Sequence, residues 1–170
     1  CTSTESFGSD PGKTLVVGEM WRVSSINPGD GRGGGTFITE KAIVTETLVG
    51  ADADFTLVPN LATDWRQIGD TTWEFNLREG VMFHNGEEMT AENVAFSLNR
   101  ATETSSSTAA LLDYKSCEVV DRYTLRIHTN TLNPLVPGTL HYPDTAIIHP
   151  DSYDASGKFI TPIGTGPMKL

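Results

Sequence analysis

The chain has 170 residues, with 12 Lys and Arg against 22 Asp and Glu, a formal charge of −10. That balance repels phosphate backbones, so nucleic acid is not an expected partner, and no Lys/Arg cluster offers a patch for an acidic ligand. Hydrophobic residues at 38% and charged residues at 20% fit a soluble globular chain, and no run of about 18 apolar residues supplies a membrane-spanning helix.

Cys1 heads a polar, small-residue stretch that runs to Gly12. Such a stretch buries too little apolar surface to fold and reads as a tether over 1–12. A cysteine in first position is what a lipid-modified lipoprotein exposes after signal-peptide cleavage; a chain that merely starts at a cysteine is the alternative. Lys13 to Gly18 is a short β-branched run that predicts a buried strand. Asn27 to Gly35 holds five glycines and one proline, so it is a loop. Glu40 to Leu48 carries Ile43, Val44, Thr47 and Leu48 at helical spacing, with Gly50 as the stop.

Two strands follow, Asp64–Ile68 and Thr72–Leu77, joined by a hairpin at Gly69-Asp70. In the second strand Trp73, Phe75 and Leu77 share a core face and Thr72, Glu74 and Asn76 the solvent face. Asn85-Gly86 marks a turn. Thr90 caps a helix over Ala91–Ala101, with Glu92 in its first turn. Thr102 to Thr108 reads as a Ser/Thr loop, and Ala109–Leu112 as a further helical turn. Lys115–Val120 and Tyr123–Thr129 alternate as strands around an Asp121-Arg122 turn. Asn133-Pro134 starts a short helix, and Asp151 after Pro150 opens another. Strands and helices mix without a regular βαβ beat, which argues for a mixed α/β (α+β) fold.

Few residues suggest catalysis or metal binding. His84, His128, His141 and His149 show neither an i,i+4 pair nor HExxH spacing. His84, just before the Asn-Gly turn, reads as structural. Asp52 and Asp54 lack the glycine and the twelfth-position glutamate of a calcium loop. Gly31-Arg32-Gly33 lacks the lysine of a phosphate loop. Neither GxSxG nor a Cys matched to a His motif is present, so the hydrolase alternative has no nucleophile in a recognisable setting. Glu87 and Glu88 read as solvated charges, and Trp65, Trp73, Phe75 and Phe96 as core. Cys117, in an alternating strand with no CxxC partner, reads as a buried structural thiol. No cofactor is expected.

Four blocks carry a resemblance to a known family. Leu57-Val58-Pro59-Asn60-Leu61-Ala62-Thr63-Asp64-Trp65 is similar to its "lvPaLAesW" segment, and Trp73 to Gly86 (WEFNLREGVMFHNG) to its "tytFkLRegvkFhdG" segment. Thr90 to Leu98 (TAENVAFSL) is similar to "tAeDVvfSl", and Pro162-Ile163-Gly164-Thr165-Gly166-Pro167 to "piGTGPy". In this order they identify the chain as similar to the extracellular solute-binding proteins of family 5, which serve peptide and nickel ABC importers.

The resemblance implies a class II periplasmic-binding-protein fold, two α/β lobes closing on a ligand about a hinge. Residues 13–39 would supply the first strand and ligand-facing loop of lobe I. Residues 40–160 would form its extra α/β subdomain, and 161–170 the return to lobe I, truncated before lobe II. It further implies an extracytoplasmic, monomeric protein held to the membrane only through lipid on Cys1. Such a protein would capture a peptide or a small chelate and deliver it to ABC permease subunits, without catalysis. A surface sensor or chaperone of the same fold is a further alternative.

The loop Gly33-Gly34-Gly35-Thr36-Phe37-Ile38 would approach ligand, its glycines admitting close backbone contact; a plain surface loop is the alternative. Tyr142 would stack on or hydrogen-bond the ligand; a plain surface tyrosine is the alternative. Nickel-binding relatives hold an organic chelate through methionine, arginine and tryptophan contacts. These positions fall near Ile38, near Ser107 and Ala110, and near Tyr142-Pro143, and none of those side-chain types stands there. Without the second lobe, binding is expected to be weak.

Overall fold

The computed structural model describes residues 26, 27 and 43–169. The predicted tether, the strand at 13–18 and the ligand loop at 33–38 lie outside these residues.

The described residues form a mixed α/β unit around one four-stranded antiparallel sheet. Its strands are β3 (Ala62–Gly69), β4 (Thr72–Leu77), β5 (Tyr114–Asp121) and β6 (Thr124–Thr129), in the order β3-β4-β6-β5. A two-stranded ribbon of β1 (Val49–Ala51) and β2 (Leu57–Pro59) precedes it. Both predicted hairpins are present. Both turns fall one residue later than expected, on Asp70-Thr71 because Gly69 still pairs with Thr72, and on Arg122-Tyr123 because Asp121 still pairs with Thr124.

Period-two alternation sets the two faces of the sheet. Trp65, Phe75, Leu125 and Val119 form one cross-strand row, and Trp73, Ile127 and Cys117 the next. Phe75, Leu125 and Ile127 are fully buried. A buried side chain of this size contributes about 2 kcal/mol of transfer free energy. Cys117 stands inward in this row, and burial pushes its thiol up to about 12. The opposite face carries the row Arg66, Glu74, Arg126, Glu118. Glu74, expected to face solvent, is only 6% exposed. Arg66 bonds it at 2.5 Å and Arg126 at 2.9 Å, and their side chains roof it over.

Helix α1 (Ala91–Thr104) packs Ala91, Val94 and Leu98 into the sheet core, and Ala95 and Ala101 are buried as well. Its start is capped as expected, since the Thr90 backbone N–H donates to Asn93 Oδ1 at 2.8 Å. The predicted Ser/Thr loop is a correction. Helix α1 continues to Thr104, and α2 (Ser106–Leu112) begins at once. Buried Ser105 makes the corner, its Oγ accepting from the Thr108 N–H at 3.2 Å. One capping serine turns a run of poor helix formers into two helices. Helix α3 (Val136–Thr139) follows β6, and 3-10 turns occupy Pro143–Thr145 and Pro150–Ser152.

The helix predicted over Glu40–Leu48 is also corrected for the described part. Residues 43–48 hold turns, bends and a bridge. Ile43 has φ 52°, outside any right-handed helix. Glu46 bridges Ile147, and Val49 opens β1.

Candidate functional site

Two of the four family-like blocks, 73–86 and 162–167, meet residues 43 and 44 in a clasp. The Gly166 N–H donates to Val44 O at 3.1 Å, and the Met168 N–H to Ile43 O at 3.3 Å. His84 joins from the Asn-Gly turn. The Gly164 N–H donates to its Nδ1 at 3.3 Å, and its Nε2 donates to Gly166 O at 2.7 Å. A carbonyl can only accept, so the ring proton sits on Nε2. His84 is thus a structural bracket, as its position before the turn suggested. A side-chain atom on Gly164 would stand 2.9 Å from the Val44 carbonyl carbon and nearer still to its oxygen, so these glycines exist for close backbone approach.

Beside the clasp lie two adjoining cavities that share Pro143. The larger, about 410 Å³, runs between α2 and the turn after α3, lined by Ser107, Thr108, Leu111, Tyr142, Pro143 and Asp144 among others. The smaller, about 230 Å³, is lined by Ile43, Thr45, Glu46, Thr47, His141 and Ala146 among others.

Each wall is fixed by local chemistry. Pro143 presets the first position of its 3-10 turn. Both the N–H and the Oγ1 of Thr145 donate to Tyr142 O, at 2.9 and 2.8 Å. This holds Tyr142 outward, 55% exposed, with its ring 6.2 Å from that of His141. On the other side the Ile147 N–H donates to Glu46 O at 2.8 Å, and Asn60 Nδ2 to Thr47 O at 2.9 Å. The Glu46 carboxylate accepts from Thr165 Oγ1 at 2.8 Å, tying the cavity to the clasp.

Of the expected ligand-contacting residues, Tyr142 lines the larger cavity, while Gly33 to Ile38 lie outside the described residues. The structure brings Ser107 to the same cavity as Tyr142 and Pro143, although 35 positions separate Ser107 from Tyr142. Glu46, His141 and Asp144 were not among the expected ligand-contacting residues. His141 and Asp144 adjoin Tyr142-Pro143, where relatives place a ligand-contacting group, whereas Glu46 carried no such signal.

Among the described residues, one group has three side chains close enough to consider for a metal: Glu87, His149 and Asp151. Its geometry is that of a hydrogen-bonded set. Asn85 Nδ2 and the Asp151 N–H both donate to His149 Nδ1, each at 3.1 Å, and Nε2 donates to Glu87 at 3.0 Å. The two carboxylates therefore sit by different ring nitrogens, which suits orientation of the ring better than chelation. Glu88, expected to be solvated, bonds Arg122 at 2.7 Å and Tyr123 at 2.8 Å. The Arg122 guanidinium, then the Tyr123 hydroxyl, hold its carboxyl below the usual range.

No helix of the described residues is long and apolar enough to cross a membrane. Residues 56–170 match the family model described as bacterial extracellular solute-binding proteins, family 5 middle. A nickel ABC transporter from Bacillus halodurans is similar at 36% identity, with a TM-score of 0.78 over 87% of this chain and 30% of that one. The peptide-bound DppA from Helicobacter pylori is similar at 26% identity, with a TM-score of 0.71 over 86% of this chain and 34% of that one. The glutathione-binding protein GsiB of Salmonella typhimurium is 28% identical over 99% of this chain and 34% of its own length. The chain spans 25% to 34% of the length of the first curated relatives it matches. The matched family model and these structural neighbours agree on one assignment: the chain belongs to the family 5 bacterial extracellular solute-binding proteins.

Proposed function

We infer that this chain is part of the ligand-capturing component of an ABC importer, working outside the cytoplasm by binding rather than by catalysis. The ligand is a peptide, or in a second reading a small metal chelate. The captured ligand passes to permease subunits, and the protein is a monomer whose membrane contact is lipid on Cys1. Residues 13–39 supply the first strand and ligand-facing loop of the first lobe, 40–160 its extra subdomain, and 161–170 the return to that lobe. Gly33, Gly34, Gly35, Thr36, Phe37 and Ile38 approach the ligand beside Tyr142.

The observation that carries this reading is the cavity that joins α2 to the Tyr142–Asp144 turn. It is an open, mixed apolar and polar wall with an exposed tyrosine, suited to one side of a ligand that a second surface covers. The peptide reading is preferred because Ser107, Ala110 and Tyr142-Pro143 lack the arginine and tryptophan through which a chelate is held. The likeness to a nickel ABC transporter at 36% identity supports the second reading.

Native mass spectrometry of the intact protein tests the reading directly. A co-purified peptide is the expected result, released in a Tyr142→Ala variant of unchanged fold. A bound nickel chelate would favour the second reading. Turnover of labelled peptides would overturn binding without catalysis.

A further inference from the structure

The sequence holds a single Asn-Gly dipeptide, Asn85-Gly86. Asparagine is chemically labile, most of all before glycine, which has no Cβ to keep its nitrogen from the preceding side-chain amide. Both residues are exposed, so water reaches them. The fold nevertheless asks for both members of this fragile pair. Gly86 sits at φ 88°, where a side chain strains the backbone. Asn85 supplies an N–H that aspartate lacks. Its Nδ2 donates at 3.1 Å to Nδ1 of His149, a residue 5% exposed whose Nε2 donates to Glu87.

The same contacts hold the reactive atoms apart. Loss of the amide begins when the Gly86 nitrogen attacks Cγ of Asn85. In the structure the Gly86 N–H donates to Phe83 O at 2.9 Å, a bond the attack must break. The Glu87 N–H donates to Asn85 Oδ1 at 3.1 Å, so Cγ is held from both its oxygen and its nitrogen. Turning it toward Gly86 strains both bonds, and the turn must open locally first.

We propose that Asn85 is a site of spontaneous deamidation whose rate is set by its bond to His149. The Gly86 nitrogen gives up its proton and bonds to Cγ. Nδ2 takes up that proton and leaves as ammonia, and a cyclic imide forms. Water then adds to one of the two imide carbonyls and opens the ring to aspartate or isoaspartate. No electrons are exchanged, and water is the one co-reactant. Either product alters the turn. Aspartate removes the donor to His149 Nδ1 and sets a third carboxylate beside a ring already flanked by Glu87 and Asp151. Isoaspartate also lengthens the backbone by a carbon inside the turn that the Phe83 N–H closes on Glu87 O at 2.8 Å. His84 of the clasp stands in that turn, so chemical ageing at Asn85 reaches the clasp.

The test incubates the intact protein in mildly alkaline buffer at physiological temperature. Peptide mass spectrometry follows the exchange of amide for acid at each asparagine, and enzymatic methylation scores isoaspartate. Asn85 is expected to convert ahead of every other asparagine. His149→Phe keeps an aromatic ring beside Phe83, whose ring lies 5.1 Å from that of His149, but offers Asn85 no acceptor, and should speed conversion several-fold. Glu87→Ala, at a side chain 66% exposed, frees the other ring nitrogen and should speed it by a smaller factor. Hydrogen exchange at the amides of β4 and β6 in the same samples should stay unchanged, which separates release of Asn85 from general unfolding. An Asn85 that stays intact in all three proteins, equal rates in the wild type and both variants, or acceleration only in step with exchange across the sheet would overturn the proposal.

Discussion

Replacing Gly166 by alanine should destabilise the fold more than its single added methyl suggests. The three atoms nearest to a Cβ at this position are all backbone: the oxygen and carbon of Ile43, the latter at 2.7 Å, and the Val44 carbon at 2.9 Å. No side chain can rotate away, so the two segments of the clasp must separate. Overpacking of this kind costs about 1–3 kcal/mol. Separation also strains the Gly166 N–H to Val44 O bond, the Met168 N–H to Ile43 O bond and the His84 Nε2 to Gly166 O bond, each worth about 1 kcal/mol net. A loss of about 3 kcal/mol follows if one or two of them fail. That is a large share of the roughly 5–15 kcal/mol typical of a folded domain, and it lowers Tm by about 10 °C. Urea unfolding followed by tryptophan fluorescence measures it as a fall in midpoint at unchanged slope. Gly138→Ala is the control, since a Cβ there meets nothing within 4 Å. Equal midpoints for the two variants would refute the argument from close approach.

Two further outcomes concern polar groups that the fold encloses. Hydrogen bonds from Arg66 and then Arg126 hold the Glu74 carboxyl below its ordinary value of 4.5. A depressed folded-state value means that the stabilisation is complete above 4.5, where the unfolded chain is also ionised, and is lost as pH falls through the folded-state value. Urea midpoints should therefore drop with acid more steeply in the wild type than in Glu74→Gln, and parallel profiles would contradict it; high salt should shrink the difference, because the Arg66 side chain is 70% exposed. Buried Ser97 Oγ bonds both Ile148 O at 2.8 Å and the Ile148 N–H at 3.0 Å. Ser97→Ala leaves both unpaired and should cost about 2 kcal/mol by chemical denaturation, whereas a change under about 0.5 kcal/mol would show that water replaces the hydroxyl.

Where one residue's local chemistry sufficed, sequence reading found the element. The β3–β4 hairpin, found to within one residue, the Thr90 cap and the Asn85-Gly86 turn need only their own neighbours, and Gly86, with φ 88°, takes the conformation that glycine alone adopts freely. The inward rows of the sheet followed from alternation, since period two is a property of the strand itself. The four family-like blocks were legible as strings, but their purpose was not: nothing in 162–167 says that its glycines press against the carbonyls of Ile43 and Val44.

Only the tertiary structure decided the rest, because each remaining feature depends on a partner distant in the chain. Helical spacing at 43–48 yielded to pairing with Ile147 and to the clasp, which satisfy the same backbone groups from outside. Glu74 obeyed its alternation yet became buried, because residues 8 positions before it and 52 after it cover it with arginine. The candidate site is the extreme case. Glu46, Ser107 and Tyr142 carry no signal in common along the chain, and only the packing of α2 and the Pro143 turn beside the 43–47 segment makes them one wall.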